Sequence, residues 1–188
     1  MLSCLQSARV PLGGTPNRRT QTMHQAVNVS PNRSDDTRAR GTVEGMFCAP
    51  AGGAAMVPVA TVTALPGRGL DRDRYGRGTG SFHDNCQVTL IAGEHLDRIA
   101  AEFGVKVLSG EHRRNIVTRG IDHASLVGRR FRVGEAVLEY QQPRLPCAYL
   151  VEITEPRMGE ALGEQAGICA RVVEGGVIRT GDAIALLD

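Results

Sequence analysis

Cys147 stands in Arg144-Leu145-Pro146-Cys147-Ala148-Tyr149, directly after the alternating apolar run Ala136-Val137-Leu138-Glu139-Tyr140. Upstream lies Arg113-Arg114-Asn115-Ile116-Val117-Thr118-Arg119-Gly120. A thiolate is a soft metal ligand and a strong nucleophile, and cationic neighbours favour it over the thiol. A thiol held by a proline at a strand end, with arginines in reach, suits an anionic, sulfur-loving ligand. The other reading of such a residue is a small buried core side chain, since free cysteine is among the most buried residue types. Guanidinium forks match phosphate oxygens in pairs, which makes Arg113, Arg114 and Arg119 candidate anion holders. A solvated strand edge, guarded by arginine against pairing, is their structural alternative. Asn115 could hydrogen-bond the edge of a ligand or close a turn. If Asn115–Thr118 is a strand, Arg113 and Asn115 share one face and Arg114 the other. Alternation therefore assigns Arg113 and Arg114 to different ligands.

A second polar segment is Gly67-Arg68-Gly69-Leu70-Asp71-Arg72-Asp73-Arg74-Tyr75-Gly76-Arg77-Gly78. It resembles a phosphate cradle, but lacks the Gly-Lys-Ser/Thr of a Walker A loop and the strand-to-helix setting of a dinucleotide fingerprint. It reads as a structural loop with mutually paired Asp and Arg residues, Arg74 being its candidate ligand contact. His83, Asp84 and Cys86 lie close together, but no second cluster completes a metal set. His112 and His123 are isolated and read as surface or turn residues. Without Gly-x-Ser-x-Gly or a Ser/His/Asp constellation, a hydrolase has no support. Lys106 is the only lysine. Any Schiff-base chemistry would need this one residue, which sits in a connector, so pyridoxal phosphate binding is disfavoured.

The chain has 188 residues with 41% hydrophobic content, which suits one ordinary domain with a core. No stretch approaches the roughly 20 apolar residues of a membrane span. Tryptophan is absent and aromatics are 4%, which argues against a base-stacking nucleic-acid surface. Residues 1–40 carry six arginines against Asp35 and Asp36, so with a net charge of +2 the remainder is slightly acidic. A general polyanion-binding role is thereby disfavoured. The five cysteines, Cys4, Cys48, Cys86, Cys147 and Cys169, are widely spaced with no C-x-x-C. They read as free thiols in a reducing, cytoplasmic setting, with Cys86 and Cys169 packed in the core.

By composition residues 1–40 form a disordered Arg-rich tail, and a single domain occupies 41–188. The acid-poor start also loosely resembles an organellar transit peptide, a minor alternative. Strand-like runs are Thr42–Cys48, Ala55–Leu65, Cys86–Ala92, Asn115–Thr118, Arg130–Val133, Glu135–Gln141, Ile168–Val173, Val177–Arg179 and Asp182–Leu187. Glu94–Phe103 is helical, with Leu96, Ile99, Ala100 and Phe103 at i, i+3, i+4 and i+7 and Gly104 as its stop. Asp122 caps one turn over Asp122–Val127, and Pro156–Gln165 is helical. Glu174-Gly175-Gly176 reads as a tight hairpin. Many short strands, glycine-rich turns and few helices predict a mainly β fold, a closed antiparallel β-barrel.

The ordered motifs resemble the MOSC domain family, named after the C-terminal domain of molybdenum cofactor sulfurase, in its short stand-alone type. The resemblance rests on Gly69–Tyr75, Gln87–Ile91, Arg113–Gly120, Leu126–Gly134 running on to Pro146-Cys147, and Gly175–Asp182. It implies a β-barrel and an association with the molybdenum cofactor or with sulfur carriage. Cys147 is then the family's cysteine, the metal ligand and catalytic residue. Arg113, Arg114, Asn115, Arg119 and Arg74 are then cofactor-binding, with Asn115 on a pterin edge. The implied activity is reduction of N-hydroxylated compounds, with electrons from a separate donor protein. The alternatives are a sulfur carrier, whose Cys147 persulfide comes from a cysteine desulfurase, and a non-catalytic binding module. One position departs from the pattern: Arg72 stands where relatives carry a glycine before Asp-Arg-Tyr, so a side chain replaces backbone that could approach a ligand.

Overall fold

The computed structural model describes residues 40–78 and 86–187. Its strands are β1 (Arg40–Cys48), β2 (Val57–Pro58), β3 (Thr61–Leu65), β4 (Gly69–Leu70), β5 (Val88–Ala92), β6 (Ile116–Arg119), β7 (Arg130–Val133), β8 (Ala136–Pro143), β9 (Ile168–Glu174), β10 (Gly176–Arg179) and β11 (Ala183–Leu186). The α-helices are α1 (Gly93–Phe103), α2 (Ala148–Ile153) and α3 (Met158–Leu162). One sheet runs β11-β7-β8-β9-β5-β6-β1-β2, and pairing of β11 with β1 closes seven of its strands into a barrel. The expected closed, mainly β architecture is what forms. A second sheet, β10-β3-β4, lies outside that ring. All pairings are antiparallel except β5 with β6, which α1 connects as a βαβ unit. The Arg-rich tail assigned to residues 1–40 lies outside the described residues apart from Arg40.

Period-two alternation explains the two apolar clusters. Leu90 and Ile116 face the barrel interior with Phe131, Leu138 and Ile184. Their neighbours Ile91 and Val117 face outward and meet Leu96 and Ile99 of α1, Leu150 of α2 and Met158 of α3. Strands β5 and β6 are therefore apolar on both faces. Helix α1 matches its predicted span and ends on Gly104 at φ 63°, a left-handed stop. The turn at 122–127 is a 3-10 helix, His123–Leu126, whose cap Asp122 accepts a hydrogen bond from the Ala124 amide at 2.9 Å.

Three local expectations change. The run 55–65 is interrupted between Pro58 and Thr61, because Pro58 has no N–H to continue a ladder. Glu174-Gly175-Gly176 does not close a hairpin: β10 leaves β9 and pairs with β3. Gly176 passes so close to Glu135 and Ala136 that a Cβ would lie 2.6 Å from the Glu135 carbonyl carbon. Cys86 and Cys169 are not free thiols but a disulfide, with Cα atoms 4.8 Å apart. The ladder sets Thr89, not Cys86, opposite Cys169, and the chain just before β5 leaves that register, its Gln87 amide donating to the Ala170 carbonyl at 3.0 Å. Their sequence separation of 83 residues hides this.

Gly167, where the chain enters β9, has φ 111°, and a Cβ there would lie 2.1 Å from the Leu90 carbonyl oxygen. Gly104 has φ 63° but open space around it. Gly104→Ala should cost only the left-handed strain, about 1 kcal/mol. Gly167→Ala adds a backbone clash and should cost roughly 3 kcal/mol or more. Urea unfolding of the two variants checks the order; equal losses would contradict the close approach.

Candidate functional site

The site forms where β6 begins. Arg113 has φ 61°, the one non-glycine residue with positive φ among those described. This left-handed residue precedes the strand and breaks the alternation expected across Arg113, Arg114 and Asn115. Both arginines consequently line one cleft of about 50 Å³, with Arg74, Arg144, Cys147 and Tyr149. Strand alternation therefore does not separate Arg113 from Arg114 in space.

Arg114 is 1% exposed and holds the cleft from behind. Its Nε donates to the Ala166 carbonyl at 2.7 Å, Nη1 to the His112 carbonyl at 3.0 Å and Nη2 to the Arg144 carbonyl at 3.2 Å. The last bond fixes the backbone three residues before Cys147. Burial, with Arg144 adding repulsion, pulls this guanidinium down to about 9, while Cys147 acts in the opposite sense. Burial and then Arg74 lower Arg113 as well. Arg113 Nη1 donates to the Ala54 carbonyl. Arg74 lies 4.5 Å over the Tyr75 ring and donates to its hydroxyl at 2.9 Å.

Cys147 is exposed and free, on extended backbone at φ −126° and ψ 161° immediately before α2. Its carbonyl accepts from the Leu150 amide at 3.0 Å, and buried Leu150 pins the short helix to the outer core. The core-residue reading of Cys147 is thus replaced by an accessible thiol. Cys48 is the buried free cysteine, and burial followed by Asp73 and Asp71 pushes its thiol up to about 12.

The remaining sequence candidates lie elsewhere. Asn115 commits its whole amide to the protein: Nδ2 donates to the Phe47 carbonyl and to Asp73 Oδ2, at 3.2 and 3.1 Å. Its Oδ1 accepts from the Thr89 amide and hydroxyl, at 3.1 and 2.9 Å. It ties β1, β5 and the 66–78 loop together and does not line the cleft. Arg119 stands at the other end of β6, paired with Glu44 through both forks at 2.9 and 2.6 Å and with Asp97 at 2.7 Å. These bonds raise it above the usual arginine value.

The loop 66–78 is structural, as expected, but its aspartates serve the backbone. Asp71 accepts from the Thr63 amide at 2.9 Å and Asp73 from the Ala49 amide at 2.9 Å. Arg72, at the departure, is exposed and does not line the cleft. His83 and Asp84 lie outside the described residues, and Cys86 is bound to Cys169. Sequence reasoning leaves out Arg144 and Tyr149, although both belong to the Cys147 hexapeptide. Proximity in sequence was the available signal. It also leaves out α2, too short to show a period. His112 is no surface residue: it is fully buried, its Nδ1 accepts from the Arg114 amide at 3.0 Å, and its ring meets Phe47 edge-on at 5.3 Å.

Two outcomes follow from these environments. Native alkylation at pH 8, mapped by peptide, should label Cys147 within minutes and leave Cys48 unlabelled until denaturant is added. Equal labelling of both would contradict the burial of Cys48. Burial, then repulsion from Arg114, pushes the His112 imidazole down from 6.5 to about 3, so unfolding takes up a proton there between those values. Its contribution is present above pH 6.5 and lost as pH falls, by roughly 2 kcal/mol between pH 7 and 5. His112→Gln should reduce the proton uptake on unfolding at pH 5 by close to one, measured from urea midpoints against pH.

Comparisons agree with this architecture. Residues 77–185 match the model of the MOSC domain. No curated protein matches the sequence significantly. The fold is similar to that of the YuaD protein from Bacillus subtilis (TM-score 0.66, 20% identity, 79% of this chain and 96% of that one). It is also similar to YiiM from Geobacillus stearothermophilus (0.63, 19%, 79% and 75%) and YiiM from Escherichia coli (0.59, 21%, 79% and 70%). Because the family match takes in more than half of its length and the barrel is the one expected, the chain belongs to the MOSC domain family.

Proposed function

We propose that this MOSC protein binds the molybdenum cofactor at the Cys147 cleft and acts as an oxidoreductase on N-hydroxylated compounds. The observation that carries the reading is the lining itself: four guanidiniums, of Arg74, Arg113, Arg114 and Arg144, surround one exposed thiol with no carboxylate among them. Such a lining favours an anion bearing a soft metal. Among the described residues no group of three His, Cys, Asp or Glu could hold a metal ion. The protein therefore offers a single thiolate, which fits a metal whose other ligands come with an organic cofactor. Cys147 would hold the metal, and Arg113, Arg74 and Arg144 the cofactor's phosphate. Arg114 acts behind them as a positioning residue, since its hydrogen bonds go to carbonyls.

When bound, the cofactor would supply a metal able to accept the substrate's oxygen. The protein's part is to fix the thiol on extended backbone, hold the anion and leave room for substrate. A cavity of about 590 Å³ lined by Met56, Met158 and Lys106 shares Arg113 and Ile153 with the cleft and provides that room. Electrons would come from a separate donor protein. A second reading, sulfur carriage from a cysteine desulfurase on a Cys147 persulfide, is favoured by the exposure of that thiol.

Elemental analysis after expression in a cofactor-producing host tests both. We expect close to one molybdenum per wild-type chain, at least tenfold less in Cys147→Ala, and a several-fold reduction in Arg113→Ala. Molybdenum retained by Cys147→Ala would refute the ligand assignment. No molybdenum, with one extra sulfur on wild type alone, would establish the carrier. Neither element on wild type would leave the non-catalytic binding module.

A further inference from the structure

A larger cavity, of about 650 Å³, opens where β6 ends and shares no lining residue with the Cys147 cleft. Its size is that of a small-molecule site. One wall is apolar, made by Ile121, Val127, Tyr140, Pro143 and Ile168. Val127, at 54%, is among the few large apolar side chains left exposed. The same lining carries Glu94, Asp122 and Glu164.

All three carboxylates are exposed, so in the free protein water solvates them. None forms an ion pair with Lys or Arg among the described residues. Glu94 Oε1 accepts from the Gly120 amide at 2.7 Å and Asp122 Oδ1 from the Ala124 amide at 2.9 Å. Glu94 Oε2 and Asp122 Oδ2 remain without a hydrogen-bond partner there. Arg98, the only Lys or Arg in the lining, is already committed to His95 Nδ1 at 2.9 Å and to Gln165 Oε1 at 2.8 Å. Neither imidazole supplies positive charge at neutral pH. His95 donates from Nε2 to the Leu162 carbonyl at 3.0 Å, which turns its bare nitrogen toward Arg98. Burial lowers His95 and pushes His123 down to about 4, although Asp122 and Glu94 both pull His123 the other way. The bond from the Gly120 amide holds the Glu94 carboxylate against the segment that carries Asp122, two residues further on.

A lining that combines apolar side chains with carboxylates lacking a cation partner selects for a molecule with one cationic end and one apolar body. We propose that this cavity is a second binding site, for an amphipathic organic amine. The ammonium sits between Glu94 and Asp122, and the body lies on Ile121, Tyr140 and Ile168. An alcohol of the same shape would keep the apolar contact and lose the charge pairing. A carboxylic acid would be repelled.

The chain has no tryptophan, so an indole probe can be followed by its own fluorescence. Tryptamine, tryptophol and indole-3-propionate form a cationic, neutral and anionic series of nearly one shape. Fluorescence anisotropy on the full chain at pH 7 should show saturable 1:1 tryptamine binding. Tryptophol should bind roughly tenfold more weakly and indole-3-propionate more weakly still. Glu94→Gln combined with Asp122→Asn keeps an oxygen for the Gly120 and Ala124 amides. It should bring tryptamine down to the affinity of tryptophol. Cys147→Ala should bind tryptamine as wild type does, which separates this site from the thiol cleft. Equal binding of tryptamine and tryptophol by wild type, or no saturable tryptamine binding, would overturn the proposal without reference to any variant. Unchanged tryptamine affinity in a double variant that melts like wild type would overturn it too.

Discussion

The Cys147 cleft depends on one guanidinium sealed away from water. Arg114 has no carboxylate partner in its cavity, and three backbone carbonyls within 3.2 Å satisfy it instead, with that of Arg113 more distant at 3.5 Å. Burying a charge in this way costs several kcal/mol before those bonds offset it. A well-packed apolar residue would cost less, so stability alone does not account for an arginine here. The three carbonyls account for it. They belong to the approach to β6, the approach to β9 and the segment leading to Cys147. In an antiparallel barrel such segments are loops, free to separate, and one five-donor side chain holds all three.

That arrangement leaves positive charge standing in the cleft. Arg74, Arg113 and Arg144 line it beside Arg114; burial first, then repulsion from Arg74 at Arg113 and from Arg144 at Arg114, lowers the affinity of both for the proton. A bound anion would offset the repulsion. The strain at Arg113 fits the same logic: a left-handed non-glycine residue costs about 1–2 kcal/mol, and its effect is to turn two successive side chains toward one space.

This is also where sequence reading stops. Strands bounded by glycine and proline, the 3.6-residue period of α1 and the Asp122 cap are local signals, and each is found where the pattern puts it. The barrel follows from their number and shortness. What could not be read is non-local or conformational. Arg113 and Arg114 look like alternating strand residues until φ 61° is known. Cys86 and Cys169 meet only because the segment entering β5 leaves the regular register beside β9. Gly175-Gly176 has hairpin chemistry, yet β10 finds its partner in β3, more than a hundred residues earlier. Asn115 and Arg119 are the right residue types for ligand contacts, and only tertiary partners show them to be committed elsewhere.

Strand β6 divides the chemistry of the molecule. At its start the polar side chains are cationic around a thiol, and at its end they are anionic around an apolar wall. Net charge, at +2, conceals both. The division has a topological cause. The β5–α1–β6 unit is the one parallel pairing among the described strands, so the chain leaves both strands at the same end. In parallel sheets that carboxyl end is where loops and helix starts converge and where ligands bind. Here it gathers Ala92, Glu94 and Gly120 around the larger cavity. The opposite end gathers the arginines, because there the chain must enter β6 from a buried turn. Between them Ile116 and Val117 are buried on opposite faces, in the barrel interior and against the helices. Pro143 and Gly167 line the cavity, while Arg144, whose amide donates to the Gly167 carbonyl at 2.8 Å, lines the cleft. The cavity and the cleft therefore adjoin through one backbone hydrogen bond, between Arg144 and Gly167.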